Sequence, residues 1–223
     1  MFQPDGAASL EEKVYLSLEE QIISQKLRPG QSVTEMKLSR ELGVSRTPVR
    51  EALQRLDREG LIKLIPNKGA VVLGISEQDL IDIYKIRMRL EGLAARIAAE
   101  KTDTELCRLL GDNVDLTGFY MAKGDIEKVK NLDSEFHDII YRSCESRMLG
   151  KTLSELHRYI ASYRKLSLAV DGRIEKSLAE HSEIYNAILK GDAAAADALM
   201  SRHVERALEN LLEIIQNKEG QDT

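Results

Sequence analysis

The stretch GVSRTPVREALQRL, residues 43–56, constrains the fold more than any other part of the sequence. Gly43 can adopt the positive φ of a tight turn, and Ser45 or Thr47 can cap a following helix. Pro48 would then fall in the first helical turn, where no backbone donor is needed. The stretch therefore predicts that a new helix begins directly after a tight turn.

This predicted helix has two chemically different faces. Apolar residues recur at helical spacing on one face, which comprises Val49, Ala52, Leu53 and Leu56. The opposite face carries Arg46, Thr47, Arg50 and Gln54. Upstream, VTEMKLSREL (33–42) offers Thr34 as an N-cap and Leu38 with Leu42 as an i,i+4 apolar pair. A helix, a short glycine turn and a second helix form a helix-turn-helix.

The residues that follow predict a short β-hairpin. LIKLI (61–65) and AVVL (70–73) are the two strands, and Pro66, Asn67 and Gly69 supply the chemistry of the turn between them. A basic hairpin after a helix-turn-helix is a wing. A small structural helix pair with ordinary surface arginines is the alternative, and the order, spacing and wing together favour the winged helix.

The segment EMKLSRELGVSRTPVREALQRLDREGLIKLIPNKGAVV (35–72) resembles the winged-helix segment of the GntR family of bacterial transcription regulators. The resemblance implies a palindromic double-stranded DNA operator. It places Arg46 and Arg50 against base edges or phosphates in the major groove, and Lys68 and Gly69 near the minor groove. The full set of expected DNA-binding residues is Thr34, Ser45, Arg46, Thr47, Arg50, Gln54, Lys68 and Gly69.

Charge is distributed unevenly along the 223 residues. The formal net charge is −5, yet residues 1–75 carry +1 and the remainder carries −6. Residues 37–68 contain eight basic and four acidic side chains, a local excess of +4. This distribution suits phosphate neutralisation by one face only.

Composition excludes several other classes of protein. No apolar run approaches the ~20 residues needed to span a bilayer, and the first ten residues (MFQPDGAASL) lack the basic and apolar regions of a signal peptide. We therefore expect a cytoplasmic protein with no membrane segment. Cys107 and Cys144 are too few for a disulfide framework or a CxxC metal site.

The predicted fold is mostly α. Residues 1–75 are expected to form a winged helix-turn-helix of three helices plus a β-hairpin wing, beginning with an amphipathic helix over 10–26. Residues 76–223 show no further strand pattern and are expected to form an all-α antiparallel bundle. The predicted helices span about 76–101, 102–123, 125–144, 147–169, 174–190 and 192–217. The first of these carries the predicted buried stripe Leu80, Ile83, Leu90, Ala94 and Ile97, with Arg87 on it.

Polar residues interrupt the apolar stripes of the bundle. One histidine on such a stripe is more often a satisfied core residue than a ligand, but His137, His181 and His203 all point into the predicted core. Asp133 lies one turn before His137 on the same face. Burying a carboxylate costs several kcal/mol unless it is paired or coordinates a metal, so a divalent cation would satisfy all four groups. His157 is interpreted as a bystander.

The segments VKNLDSEFH (129–137), EHSEIYNAILKGD (180–192) and MSRH (200–203) resemble the FCD ligand-binding domain of FadR-type GntR proteins. The resemblance implies that Asp133, His137, His181 and His203 are the metal ligands. It also matches RMRLE (87–91), so that Arg87 would bind an effector carboxylate. Nitrogen and oxygen ligands without thiolate suit zinc first, with nickel, manganese or iron possible.

Together these patterns predict a homodimeric, metal-containing DNA-binding regulator, a repressor that responds to a small carboxylate. The bundle shows no excess of interior arginine, lysine or aromatic residues, so sugar acids and organic acids are favoured over acyl-CoA. A metal-dependent enzyme acting on a carboxylate and a direct metal sensor are the alternatives.

Overall fold

The computed structural model describes residues 9–66, 68–101, 103–168, 170 and 172–219. The chain divides into two compact units at Asp79 and Leu80. The predictions for the first eight residues, for Asn67 in the wing turn and for a helix start at Thr102 lie outside the described residues. Within the described ranges, no helix combines the length and apolar character needed to cross a membrane.

The first unit has the predicted winged-helix order. Its elements are α1 (Leu10–Ile23), β1 (Ser32–Val33), α2 (Glu35–Leu42), α3 (Arg46–Arg58), β2 (Ile62–Ile65) and β3 (Gly69–Val72). The strands form one antiparallel sheet in the order β1-β3-β2, with Val71 of the central strand opposite Ser32 on one side and Lys63 on the other. The hairpin wing was predicted, whereas β1 was not, because two residues are too few to show an alternating pattern.

The turn between α2 and α3 forms for the reasons that the sequence indicates. Thr34 Oγ1 accepts a hydrogen bond of 3.3 Å from the Lys37 amide at the start of α2. Gly43 ends α2 in the left-handed region with φ 68°. Ser45 occupies the N-cap position of α3, although its side chain makes no capping bond. The predicted apolar face of α3 is buried along its whole length: Val49, Ala52, Leu53 and Leu56.

The second unit is built from helices throughout the part that the structure describes. They are α4 (Glu77–Lys101), α5 (Thr104–Ala122), α6 (Ile126–Ser143), α7 (Arg147–Ser167), α8 (Arg173–Leu189) and α9 (Ala193–Glu219). Ser76 and Asp79 form a reciprocal capping box at the start of α4, with bonds of 2.9 and 3.1 Å between each amide and the other side chain. Asp103 caps α5, its Oδ1 atom accepting a 2.9 Å hydrogen bond from the Leu106 amide.

The buried face of α4 differs from the predicted one. Ile83, Leu90 and Ile97 are only half-buried, so their predicted burial was wrong. The residues that α4 does bury include Leu80, Tyr84, Arg87, Glu91, Ala94, Ala95 and Ala98. The small alanines allow close helix approach at one end, while Arg87 and Glu91 carry charge into the core. This charged segment of α4 forms one wall of the candidate site.

Candidate metal centre and DNA-binding surface

A groove of about 690 Å³ runs between α2, α3 and the wing of the first unit. It brings together five of the eight residues predicted to bind DNA: Thr34, Arg46, Arg50, Lys68 and Gly69. The other three, Ser45, Thr47 and Gln54, are exposed but do not line this groove. A basic groove of this kind presents charged donors to the phosphates and base edges of a duplex.

Glu35 at the start of α2 holds the two arginines of this groove, a role that the sequence analysis missed. Its carboxylate accepts bonds of 2.8 and 3.0 Å from Nε and Nη2 of Arg50, and one of 3.1 Å from Nη2 of Arg46. These bonds, first of all that from Arg50, lower the pKa of Glu35. Because both arginines remain more than half exposed, the ion pairs are weak and leave them available to a ligand.

Gly69, the first residue of β3 after the wing turn, cannot be replaced without strain. Its φ is +97°, and a Cβ atom there would collide with the carbonyl oxygen of Val33 and approach Thr34 Cα to 3.2 Å. We expect Gly69→Ala to destabilise the first unit by about 1–3 kcal/mol and to lower DNA affinity by displacing the wing. Thermal unfolding and DNA titration would measure the two effects. Gly60→Ala is the matched control, because Gly60 has φ +76° but open space around its Cβ position.

Three histidines converge in the core of the second unit. His137 from α6, His181 from α8 and His203 from α9 place their candidate ligand atoms within 4.8 Å of one another, and all three residues are buried. The Nε2 atom of His203 lies 3.2 Å from that of His137 and 3.4 Å from that of His181. The structure therefore brings three of the four predicted metal ligands together through the same ring nitrogen.

Two buried carboxylates contact Nδ1 atoms of this cluster, on the side of the rings away from the Nε2 atoms. Glu91 Oε2 lies 2.6 Å from His137 Nδ1, and Glu180 Oε2 lies 2.7 Å from His203 Nδ1. An ionised carboxylate only accepts, so each ring donates from Nδ1, and its Nε2 atom faces the centre of the cluster. The ring of Phe136 stacks on His181 at a centroid distance of 4.0 Å. Such carboxylate-histidine pairs commonly support histidine ligands of metal ions.

Asp133, the fourth predicted ligand, lies at the edge of the cluster. Its Oδ1 atom is 3.8 Å from His181 Nε2 and accepts a 2.8 Å hydrogen bond from Ser177 Oγ. Its Oδ2 atom accepts a hydrogen bond from Arg164 Nη2. The carboxylate thus faces both the histidines and a buried arginine.

Burial determines the protonation of these groups. Burial, followed by the positive charge of Arg164, lowers the pKa of His137 well below its ordinary value. Burial likewise lowers the pKa of His181 to about 3. For Asp133 burial opposes ionisation, but the charge of Arg164 outweighs it and holds the pKa well below the ordinary range. His137 and His181 are therefore neutral near pH 7, and Asp133 is ionised.

A small cavity adjoins the histidine cluster. Its lining includes the predicted effector-binding residue Arg87, together with Tyr84, Asp133, Arg164, Arg173 and His203. Its volume of about 20 Å³ exceeds only slightly the ~10–15 Å³ that one water molecule needs.

Three buried arginines line this cavity, of which the sequence analysis identified one. Arg87, Arg164 and Arg173 are each no more than 6% exposed. The prediction that the bundle shows no excess of interior arginines is therefore wrong. Arg164 lies near the end of α7 and Arg173 begins α8, and charged residues beside helix ends are normally assigned to the surface. His157, interpreted as a bystander, contacts Arg164 Nη1 at 3.0 Å and is not part of the three-histidine cluster.

A winged helix that exposes Arg46 and Arg50 on α3, the position of the recognition helix, has the architecture of a DNA-binding domain. Comparison with known proteins identifies the family. Residues 10–72 match the bacterial regulatory proteins of the gntR family, and residues 82–206 match the FCD domain. The chain belongs to the GntR family of transcription regulators with a C-terminal FCD domain. Members of this family regulate transcription, so the alternative of a metal-dependent enzyme is set aside.

Individual relatives agree with this assignment. The chain is 29% identical over 204 residues to an uncharacterized HTH-type transcriptional regulator, YdhC, of Bacillus subtilis, covering 91% of each chain. It is 27% identical over 205 residues to the HTH-type transcriptional repressor RspR of Escherichia coli, covering 92% of this chain and 90% of the relative. The solved structure of E. coli McbR/YncC superposes with a TM-score of 0.70 at 22% identity, covering 94% of this chain and 100% of the other, which shows the same fold.

Proposed function

We propose that this protein is a homodimeric repressor whose affinity for a palindromic operator is controlled by a small carboxylate bound beside a divalent metal ion. DNA binding would belong to residues 1–75 and effector sensing to residues 76–223. The observation that carries the proposal is the convergence of three buried histidine Nε2 atoms next to the guanidinium of Arg87.

The donor set fits a metal ion. Glu91 and Glu180 contact the Nδ1 atoms of His137 and His203, and the Nε2 atoms of these two rings lie 3.2 Å apart. A divalent cation that takes the Nε2 atoms as ligands would satisfy both of them. The three histidines and Asp133 would hold it, and zinc is the first candidate, with nickel, manganese or iron possible. The bound ion would supply a positive charge and open positions for ligand oxygen atoms.

Arg87 supports the assignment of a carboxylate effector. Its Nη2 atom lies 2.6 Å from Glu91 Oε1, but its Nε and Nη1 atoms have no hydrogen-bond partner among the described residues. Buried donors left unpaired are unusual and costly in folded proteins. A carboxylate that engages both the metal and these donors would satisfy them.

The size of the cavity supports a small effector and a conformational response. A cavity of about 20 Å³ cannot accept a sugar acid unless neighbouring side chains move. Effector binding would therefore favour a rearranged state of the bundle, and only such differential affinity can shift a conformational equilibrium. An acyl-CoA would require a far larger rearrangement.

The outer face of α4 supports a dimer. Five apolar residues recur there at alternating spacings of three and four, the pattern of a helix-helix seam: Ile83, Ile86, Leu90, Leu93 and Ile97. Ile86 and Leu93 are 48% and 42% exposed. A second copy covering this stripe would bury it and supply the two recognition helices that a palindromic operator needs.

The name of one relative supports the proposed direction of regulation, and the DNA-binding role supports the proposed location. The relative RspR is named a repressor, and we assign the same sign here. A regulator that binds the bacterial chromosome acts in the cytoplasm, where the chromosome lies.

Thermal unfolding of the zinc-loaded protein against sugar acids, hydroxy acids and simple carboxylates tests the proposal. A ligand at about 100 times its Kd adds roughly 2.7 kcal/mol of stability, which corresponds to a rise in Tm of about 5–10 °C for a protein of this size. We expect such a rise for one class of carboxylate and its loss after chelation. Arg87→Gln should abolish the rise while the metal content remains. If the affinity for the operator changes when metal is added but does not change with any carboxylate, the protein is a direct metal sensor instead.

A further inference from the structure

We infer that the effector is a dianion, in the first place a short dicarboxylate, whose two acid groups engage Arg87 and Arg173 on the same cavity. This inference rests on the proposed function and names the ligand class of that site. It arises from two independent features of the cavity, which are its unpaired donors and its balance of charge.

The unpaired donors belong to two different arginines. Arg87 leaves Nε and Nη1 without a hydrogen-bond partner among the described residues, and Arg173 leaves Nε without one. Both side chains are almost fully buried, at 2% and 3% exposure, and both line the cavity. One carboxylate can satisfy one guanidinium fork, so a monocarboxylate would leave buried donors of the other arginine unpaired.

The third arginine of the cavity is already engaged. Arg164 donates through Nη2 to Asp133 and contacts the ring of His157 through Nη1. Its guanidinium therefore balances the charge of Asp133, a proposed metal ligand. We do not assign Arg164 to the binding of an effector carboxylate. This leaves two guanidinium groups for two acid groups.

The balance of buried charge leads to the same ligand. Three ion pairs neutralise the interior: Arg87 with Glu91, Arg164 with Asp133, and Arg173 with Glu180. A divalent metal ion adds two positive charges that no described buried carboxylate remains to balance. Uncompensated buried charge is expensive, so a ligand carrying two negative charges is preferred over one carrying a single charge.

Arg173 also indicates how such a ligand would enter. It lines the inner cavity and a surface cleft of about 470 Å³ alongside α8 and α9. The side chain therefore stands between the cleft and the histidine cluster. An acid group arriving from the cleft would meet Arg173, while the far end of the ligand reaches the metal and Arg87.

Calorimetric titration of the full-length, zinc-loaded protein with matched pairs of acids tests the inference. Each pair has the same carbon chain and differs in one acid group: propionate and malonate, butyrate and succinate, pentanoate and glutarate, gluconate and glucarate. Inorganic phosphate serves as the other dianion. We expect at least one dicarboxylate to bind about 10- to 100-fold more tightly than its monocarboxylate partner, the effect of one charged hydrogen-bonded contact.

Arg173→Gln should remove this preference. We expect the variant to bind the preferred dicarboxylate about 10- to 100-fold more weakly, while the matched monocarboxylate loses less affinity, so that the ratio between the two falls toward one. Zinc content is measured for each variant, and affinities are compared at equal zinc occupancy. Arg206→Gln is the matched control. Arg206 donates to the same carboxylate, with Nη1 3.1 Å from Glu180 Oε1, but it is half-exposed and does not line the cavity. Circular dichroism of both variants verifies folding.

The outcomes separate the inference from the proposed function. Equal affinity for the two members of every pair, with binding still dependent on zinc, would overturn the dianion and leave the carboxylate sensor intact. If phosphate binds and no dicarboxylate does, the effector is still a dianion, but it carries both charges on one group. That result would overturn the dicarboxylate. If neither acids nor phosphate bind the zinc-loaded protein, both the inference and the proposed effector site are wrong.

Discussion

Replacing Glu91 with alanine is expected to lower the free energy of unfolding by about 3–5 kcal/mol, the usual cost of leaving a buried charge without its partner. Glu91 is fully buried, and its two oxygens lie 2.6 Å from Arg87 Nη2 and 2.6 Å from His137 Nδ1. Burial opposes the charge of Arg87, but Glu91 first, and Tyr141 and Tyr84 after it, together outweigh burial and raise the pKa of the guanidinium. Without Glu91, a guanidinium that stays charged would remain in the core.

Urea unfolding of the chelated protein isolates this effect from metal binding. Glu91→Gln keeps a hydrogen-bond acceptor of similar size for His137 and should destabilise less than alanine. Glu105→Ala is the control for losing a surface partner of an arginine, since Glu105 is exposed and pairs with Arg108 on the same helix. That control should stay within about 0.5 kcal/mol of the parent protein. A similarly small effect for Glu91→Ala would show that Arg87 does not depend on this carboxylate.

The same substitution has a second expected consequence for the proposed metal site. Loss of a carboxylate that orients a histidine ligand typically weakens metal binding about 10- to 100-fold. We therefore expect Glu91→Ala to retain less zinc than the parent protein at equal free zinc. A zinc affinity equal to that of the parent would argue that His137 is not a ligand.

The winged helix could be predicted because its signals are local. Thr34, Gly43 and the apolar face of α3 act within a few residues of one another, so spacing alone determines the turn and the helix that follows. The strand β1 was missed because its partner in the sheet, around Val71, lies far along the chain. Pairing of that kind leaves no periodic signal in a two-residue strand.

The polar core was only partly predictable, because its members come from different helices. Asp133 and His137 share a helix face and were therefore recognisable together. Glu180 and Arg173 acquire their roles through tertiary contacts, in which Glu180 supports His203 and Arg173 pairs with Glu180. Helical spacing shows that both residues share one side of α8, but it does not indicate what they face. Buried ion pairs of this kind are visible only once the helices are packed.

The helix α4 illustrates a second limit of periodicity. It carries one apolar stripe through Ile83, Leu90 and Ile97, and a second face that combines alanines with Arg87 and Glu91. Sequence periodicity favours the more apolar stripe for the core, yet the structure buries the charged face more deeply. An apolar stripe that is half-exposed in one chain can be buried against a second copy of the chain. Residue spacing is the same for a stripe buried between two copies and for one buried in the core, so spacing alone cannot tell them apart.

Removing both arginines of the recognition helix is expected to abolish specific DNA binding at physiological salt. Each bidentate base contact contributes roughly 1–3 kcal/mol of discrimination, so the double variant Arg46→Ala with Arg50→Ala should lose about 10²- to 10⁴-fold in operator affinity. Glu35 enlarges the loss. Its carboxylate is bonded to both arginines, and without them an uncompensated negative charge would face the DNA phosphates in the same groove.

The operator for this test can be obtained by selecting bound sequences from a random DNA pool with the parent protein. Affinity is then measured across a range of salt concentrations for the parent, both single variants and the double variant. Where an arginine contacts phosphate instead of a base, its loss should also reduce the slope of log affinity against log salt by about one. Arg108→Ala removes an exposed arginine from α5 and controls for net charge. Its affinity should equal that of the parent, whereas parent-like affinity in the double variant would remove α3 from the DNA-binding surface.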